Sequence, residues 1–409
     1  TIPGWKRGPA QLRVTGPIKK RFEVISLPHS LGGEIEGKLV YLGDGAIADY
    51  ESRKDEIDGN IVLVTSRNPM GIQRFLHRSE KYMRSVLAGA KGWIFMNHYQ
   101  AYGPPTGGVS PVIPAVGISY EDGSYLVRLT ERSDEVIVKL RTTDTNYDVD
   151  TFNVICDVEP KDPLDDEYVV VGSHYDGHDI SQGAMDPASG TVTVMEIARV
   201  LNKVKKNLNR RVRCICFGAE EIGLYGSYNY VARHRNEMDK ARFMLNLDSG
   251  GSPGKKGVIF HNFPELETLL RQWAAEMNVE MPTDQKISPY SDHWPFFLSS
   301  VPCGSGGDPE ARRTRTGRGY GHTKYDTVDK VDQQFLRLAA ANYSRFVFRI
   351  ANIQEWPARR KNPEEIQEFI KKQGFDKTVT LAEKTKKYIK TWKEILPETQ
   401  AWLNRKSDW

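Results

Sequence analysis

Residues 172–190, GSHYDGHDISQGAMDPASG, carry His174, Asp176, His178, Asp179 and Asp186, five metal ligands or proton carriers by type. The apolar run EYVVVG just before them reads as a buried strand, and ligands of α/β sheets gather where strands end. Further acidic and imidazole groups follow other strand-like runs: Glu220 and Glu221 after RVRCICFGA, Asp248 after RFMLNL, and His322 in GYGHTKYDT. A lone strand-end carboxylate is usually a helix cap or a loop residue. Several brought to one sheet edge can bind metal. Two His and three carboxylates suit a pair of zinc ions about 3.5–4 Å apart, one carboxylate bridging them. A further unligated carboxylate, from the Glu220-Glu221 pair, can then move protons, and Asp176, two residues after His174, is placed to accept that imidazole's second N–H.

The elements that must position these groups fall into two patterns. From residue 35 to 132 the sequence reads as a small β-rich module: GKLVYLG, GNIVLVTS, KGWIFMN and IPAVGIS as short strands around one helix, HRSEKYMRSVLAGA. From 133 to 357 longer strands and helices alternate, with a helix from about Gly190 to Lys206 and another from about Asp332 to Asn352. Such alternation predicts a mostly parallel mixed sheet flanked by helices, an α/β fold. Residues 1–34 are expected to belong to this larger domain. Residues 358–409 read as two amphipathic Lys- and Glu-rich helices, packed on their own chain or serving a homodimer contact.

Composition sets bounds. A chain of 409 residues predicts roughly two or three domains. A net charge of +4, set against 57 basic and 53 acidic side chains, gives no footprint for nucleic acid. No run approaches the roughly 18 apolar residues of a membrane span. Cys156, Cys214, Cys216 and Cys303 form no CxxC pair and are expected as buried thiols. The sequon at Asn342 lies on a core-facing helix, a poor place for a glycan. Opening on Thr1 without a charged-then-apolar leader, the sequence reads as a processed or trimmed chain.

The ordered set HYD, GAMDPASG, AEEIGLYGS, NLDS, SDHWPF and GHTKYDT resembles the co-catalytic zinc peptidases of the M28 family, which includes aminopeptidases and glutamate-carboxypeptidase-like enzymes. The likeness covers roughly residues 145–353. The segment EGKLVYLGDGAIADYE, IDGNIVLVTSRNP and AGAKGWIFMNH is similar to the protease-associated (PA) domain inserted in many members. The resemblance implies two zinc ions per chain. His174 and Asp248 hold one, Glu221 and His322 the other, and Asp186 bridges them. Glu220 becomes the general base and Asp176 the residue that orients His174. His178 and Asp179 have no counterpart and are expected to be polar loop or capping residues, dispensable for metal binding, with contact to substrate or an adventitious metal as the alternative. Asp292 and His293 match a recurrent motif without a ligand role and are expected to support the ligands from behind or to line the pocket.

Many members carry Tyr directly before the last ligand His, where it can stabilise an oxyanion. Gly321 stands there instead, with Tyr320 one residue back as the substitute. The expected activity is hydrolysis of peptide bonds near a chain terminus, aminopeptidase first. A carboxypeptidase is the runner-up, for which Arg315 and Arg318, in a basic loop, could grip a carboxylate. A metal-free scaffold relative is the third reading. The resemblance tilts location toward a secreted or extracytoplasmic compartment.

Overall fold

The computed structural model describes residues 1–133, 135–286, 288–310 and 320–387. Contacts divide the chain into two compact units: Thr1–Asp150 with His322–Lys324 and the part from Glu368 onward, and Thr151–Gly321 with Tyr325–Gln367.

The first unit is built on an eight-stranded sheet in the order Lys20–Phe22, Ala10–Gly16, Ile137–Thr142, Gly33–Tyr41, Ile61–Thr65, Gly92–Met96, Ala115–Ile118 and Val24–Ser26. Its central strands Ile61–Thr65 and Gly92–Met96 are buried on both faces, which explains why they are almost wholly apolar. Alternate residues serve opposite faces. Val62, Val64, Trp93 and Phe95 join one apolar cluster, whereas Ile61, Leu63, Ile94 and Met96 join another. The helix Arg78–Leu87 contributes Tyr82 and Met83 to the first cluster, and Leu381 and Ala382 of the helix Phe375–Lys386 pack against it. The C-terminal helix is tied there by Thr378 Oγ1, which donates to Glu80 Oε2 at 3.0 Å. The remainder of the expected second C-terminal helix, from residue 388, lies outside the described residues.

Two features differ from expectation. Residues 10–26 and 137–142, expected in the larger domain, pair in the sheet of the first unit, because Leu12, Val14, Val138 and Leu140 supply one alternate face to its second cluster. The β-rich module also carries more helix than one segment, including Tyr120–Arg132, which starts with Ser119 accepting the Asp122 N–H at 3.1 Å.

The second unit holds a seven-stranded sheet in the order Val154–Val158, Arg211–Phe217, Tyr168–His174, Ala241–Asn246, Cys303–Gly307, Gly257–Phe260 and Thr283–Gln285. Four of its six neighbouring pairs are parallel, so the sheet is mixed and mostly parallel. Every residue of Tyr168–His174 and of Ala241–Asn246 is buried, which requires cover on both faces. Helices Ser189–Lys203, Tyr225–Arg233, Pro264–Met277, His293–Leu298 and Gln333–Asn352 provide it. The last begins at Asp332, whose carboxylate accepts the Gln334 N–H at 2.7 Å. Asn342 is 2% exposed on that helix. All four cysteines are free. Contrary to expectation Cys156 is exposed, because its strand, Val154–Val158, forms the edge of the sheet; Cys214 and Cys303 are buried. Among the described residues no helix is long and apolar enough to cross a membrane.

Candidate metal centre

Three parallel strands of the second unit deliver the chemistry at their C-terminal ends. Tyr168–His174 ends on His174 itself. Ala241–Asn246 leads through Leu247 to Asp248, and Arg211–Phe217 leads through Gly218 and Ala219 to Glu220 and Glu221. The turn after Phe217 passes through left-handed backbone at Ala219 (φ 59°), an uncommon conformation for a residue with a Cβ and one that gathers at functional turns. Glu220 then closes the turn, its carbonyl accepting the Gly223 and Leu224 N–H groups at 2.9 Å each.

His174 is the centre of the arrangement. Its Nε2 lies 2.6 Å from Asp248 Oδ1 and 3.4 Å from Asp186 Oδ1. On the other side of the ring Nδ1 stands 2.9 Å from the Asp176 carbonyl, which has no hydrogen to give, so Nδ1 carries the proton and Nε2 presents its lone pair to the carboxylates whenever the ring is neutral. The ligand atoms of His174, Asp186 and Asp248 all fall within 4.8 Å of one another. One imidazole nitrogen and two carboxylate oxygens are a donor set that fits zinc. Burial by itself would lower the His174 pKa, but Glu220, Asp186 and Asp248 more than offset it and hold it well above the ordinary range.

Asp176 is placed differently from the expected carboxylate–imidazole pair. Its Oδ1 is 3.8 Å from His174 Nδ1, and the carboxylate instead accepts the backbone N–H of Glu220 at 3.0 Å and of Glu221 at 3.2 Å. Asp176 thus joins the two strand ends, with its carbonyl on His174 and its carboxylate on the acidic pair. Burial raises the Glu220 pKa well above the usual carboxylate range, and Glu221, Asp248 and Asp292 add to the rise against His174.

Two residues not expected from sequence support this centre. Asp326, 1% exposed, accepts the N–H groups of Met185 at 2.7 Å and Asp186 at 3.1 Å and so fixes the backbone that carries the Asp186 carboxylate. Ser291 donates to Asp248 Oδ2 at 3.4 Å and is itself held by Asn246 Nδ2 at 2.7 Å. Both sit inside motifs already visible, GHTKYDT and SDHWPF, but a backbone-holding role has no signature of residue type.

The remaining expected residues are distributed as follows. Asp292 is fully buried at the start of the helix His293–Leu298; burial pushes its carboxyl up to about 7, with Asp248 and Asp176 adding to the rise and His174 and a Ser227 hydrogen bond opposing it. His293 is stacked on His261 with ring centroids 3.8 Å apart and donates from Nε2 to the Ser288 carbonyl at 2.7 Å, which makes it a packed core group. Tyr320 is half-buried with Lys330 Nζ 5.0 Å from its ring centre. Arg315 and Arg318 lie outside the described residues. His322 groups with the first unit, where its carbonyl accepts the Thr106 N–H at 2.9 Å and its own φ is 61°. His178, expected to be a loop residue, is 5% exposed, and its Nε2 is 2.9 Å from Glu221 Oε2; Asp179 is exposed.

Close backbone packing keeps the centre in register. A Cβ on Gly190 would stand 1.8 Å from the Leu247 carbonyl oxygen, next to Asp248. Gly190→Ala at an open helix position would gain up to about 1 kcal/mol. Here it is expected to cost about 1–3 kcal/mol through forced backbone movement, read as a lower denaturation midpoint together with weaker zinc binding. An unchanged or raised midpoint would remove the close approach from the account.

The comparisons agree with this architecture. The model of peptidase family M28 matches residues 153–347, and that of the PA domain matches residues 35–126. Aminopeptidase YwaD of Bacillus subtilis is 29% identical over 312 residues, covering 73% of this chain and 64% of that protein. Carboxypeptidase Q of Xenopus laevis is 23% identical over 367 residues, 87% of this chain and 76% of that protein. The chain thus spans less than two thirds of the length of YwaD. Among solved structures, a peptidase M28 precursor from Shewanella amazonensis SB2B superposes with a TM-score of 0.74 at 22% identity, over 88% of this chain and 85% of that one. A zinc aminopeptidase from Bacillus subtilis gives a TM-score of 0.60 at 24% identity, over 87% and 86%. These likenesses establish the fold. The chain thus carries a region at 153–347 that matches peptidase family M28 and one at 35–126 that matches the PA domain.

Proposed function

We propose that the chain is a zinc-dependent exopeptidase holding two zinc ions, with aminopeptidase activity as the first reading. The observation that carries it is the convergence of His174 Nε2 with Asp248 Oδ1 and Asp186 Oδ1 at strand ends, with the half-buried Glu220 close by, its charge acting on His174. In this reading His174 and Asp248 hold one ion, Glu221 and His322 the other, and Asp186 both. When bound, zinc supplies Lewis-acid polarisation of a carbonyl and lowers the pKa of water toward neutrality. Glu220 accepts the proton of the attacking water and delivers it to the departing amine. Asp176 keeps Glu220 and Glu221 at a fixed spacing by holding both their N–H groups.

Carboxypeptidase action is the second reading, supported by the 87% of this chain that aligns with Carboxypeptidase Q of Xenopus laevis. A matched pair of substrates separates the two. An amino-acid anilide has a free amine and no carboxylate, and an amino-blocked dipeptide has the reverse. Cleavage of the anilide alone is expected; cleavage of the blocked dipeptide alone would reverse the order. A protein that binds no zinc and cleaves neither would be a scaffold relative.

A further inference from the structure

We propose that His178 is a protein ligand of the zinc held by Glu221, an imidazole added to the set that the family pattern supplies. The inference rests on the zinc reading above. Its physical basis lies within the second unit. The loop after strand Tyr168–His174 exposes Gly177 and Asp179 but turns the side chain between them inward, so that the His178 side chain is 4% exposed and the Glu221 side chain 5%. The turn is cinched: the Ser181 N–H reaches the His178 carbonyl at 3.1 Å, and a Cβ on Gly177 would stand 3.1 Å from the Gly183 Cα. This close approach leaves the imidazole little freedom to swing out to solvent.

The contact made inside is Nε2 to Glu221 Oε2 at 2.9 Å. It repeats on the Glu221 side what His174 Nε2 makes with Asp248 Oδ1 at 2.6 Å on the other. Zn–N and Zn–O bonds of about 2.0–2.2 Å place two ligand atoms of one tetrahedral ion about 3.4 Å apart. The His178–Glu221 pair reaches that spacing by opening about half an ångström, a small side-chain rotation. Imidazole binds metal as the neutral base. Any proton carried by Nε2 passes to solvent as the ion enters. A ligand at this position also accounts for a histidine buried between the exposed Gly177 and Asp179.

Zinc affinity, measured by competition with a chromophoric chelator, tests the assignment in the wild-type chain, His178→Ala and His178→Gln. Both variants are expected to keep one ion at near wild-type affinity and to bind the other at least about tenfold more weakly. Folded variants that hold two ions with wild-type affinity would overturn the assignment. Because truncating a buried side chain can unsettle its loop, a second measurement uses the unaltered chain. The anomalous map of zinc-loaded crystals should place His178 Nε2 about 2.0–2.1 Å from an ion. An ion on Glu221 with His178 turned away would defeat this inference and leave the peptidase reading standing. A wild-type chain that takes up no zinc would defeat both.

Discussion

Glu220→Gln is expected to lower kcat by about 10²–10⁴-fold, the usual contribution of a positioned general base, while zinc content stays at the wild-type level. The reasoning is geometric. Glu220 is one of two adjacent carboxylates at the end of the strand Arg211–Phe217, and Asp176 ties both by their N–H groups, so the turn survives a change of side chain. Gln has the shape of Glu and keeps a carbonyl oxygen, but it cannot accept a proton at neutral pH. Only proton transfer is removed. Burial, together with Glu221, Asp248 and Asp292, already holds the Glu220 carboxyl well above the ordinary range, as suits a group that must both take and return a proton. Elemental analysis beside initial rates decides the matter: turnover near wild type in a zinc-replete variant would strip Glu220 of its role, and loss of zinc would make it a ligand.

The place of the candidate groups was legible where it depends on residue type at a strand end. EYVVVG, RVRCICF and RFMLNL are rich in apolar residues because both faces of those strands are largely covered, and the run's end announces the position of His174, of Glu220 with Glu221, and of Asp248. What was not legible depends on partners far along the chain. Asp326 holds the N–H groups of Met185 and Asp186 from 141 and 140 residues away, and nothing in its type separates it from any loop Asp. Strand partners are hidden for a similar reason. Alternation in AQLRVTG and IVKLRT tells which side chains are buried but not which sheet they join, so both strands were expected in the wrong unit. His178 looked redundant because a family pattern has no place for it; its inward turn is a property of the loop's backbone.

Asp186→Ala is expected to cost both zinc ions, a larger loss than any other single ligand removal. Asp248→Ala would leave the ion on the Glu221 side with its own set, and Glu221→Ala the ion on the His174 side. In the proposed ligand set Asp186 belongs to both. Its backbone is held out of helical geometry (φ −122°, ψ 97°) three residues before the helix Ser189–Lys203, and Asp326, bonded to its N–H and that of Met185, keeps it there. The carboxylate is thereby fixed 3.4 Å from His174 Nε2, with little freedom to be replaced by a neighbour. Losing an outer partner of a ligand costs about 10–100-fold in metal affinity; losing a shared ligand should exceed that for each ion. A thermal readout separates metal loss from misfolding. Ligand at 100 times its dissociation constant stabilises a fold by about 2.7 kcal/mol, so zinc should raise the wild-type Tm by several degrees and leave that of Asp186→Ala where it was. A variant that folds, binds two ions per chain and gains the same Tm would show that another group bridges the site.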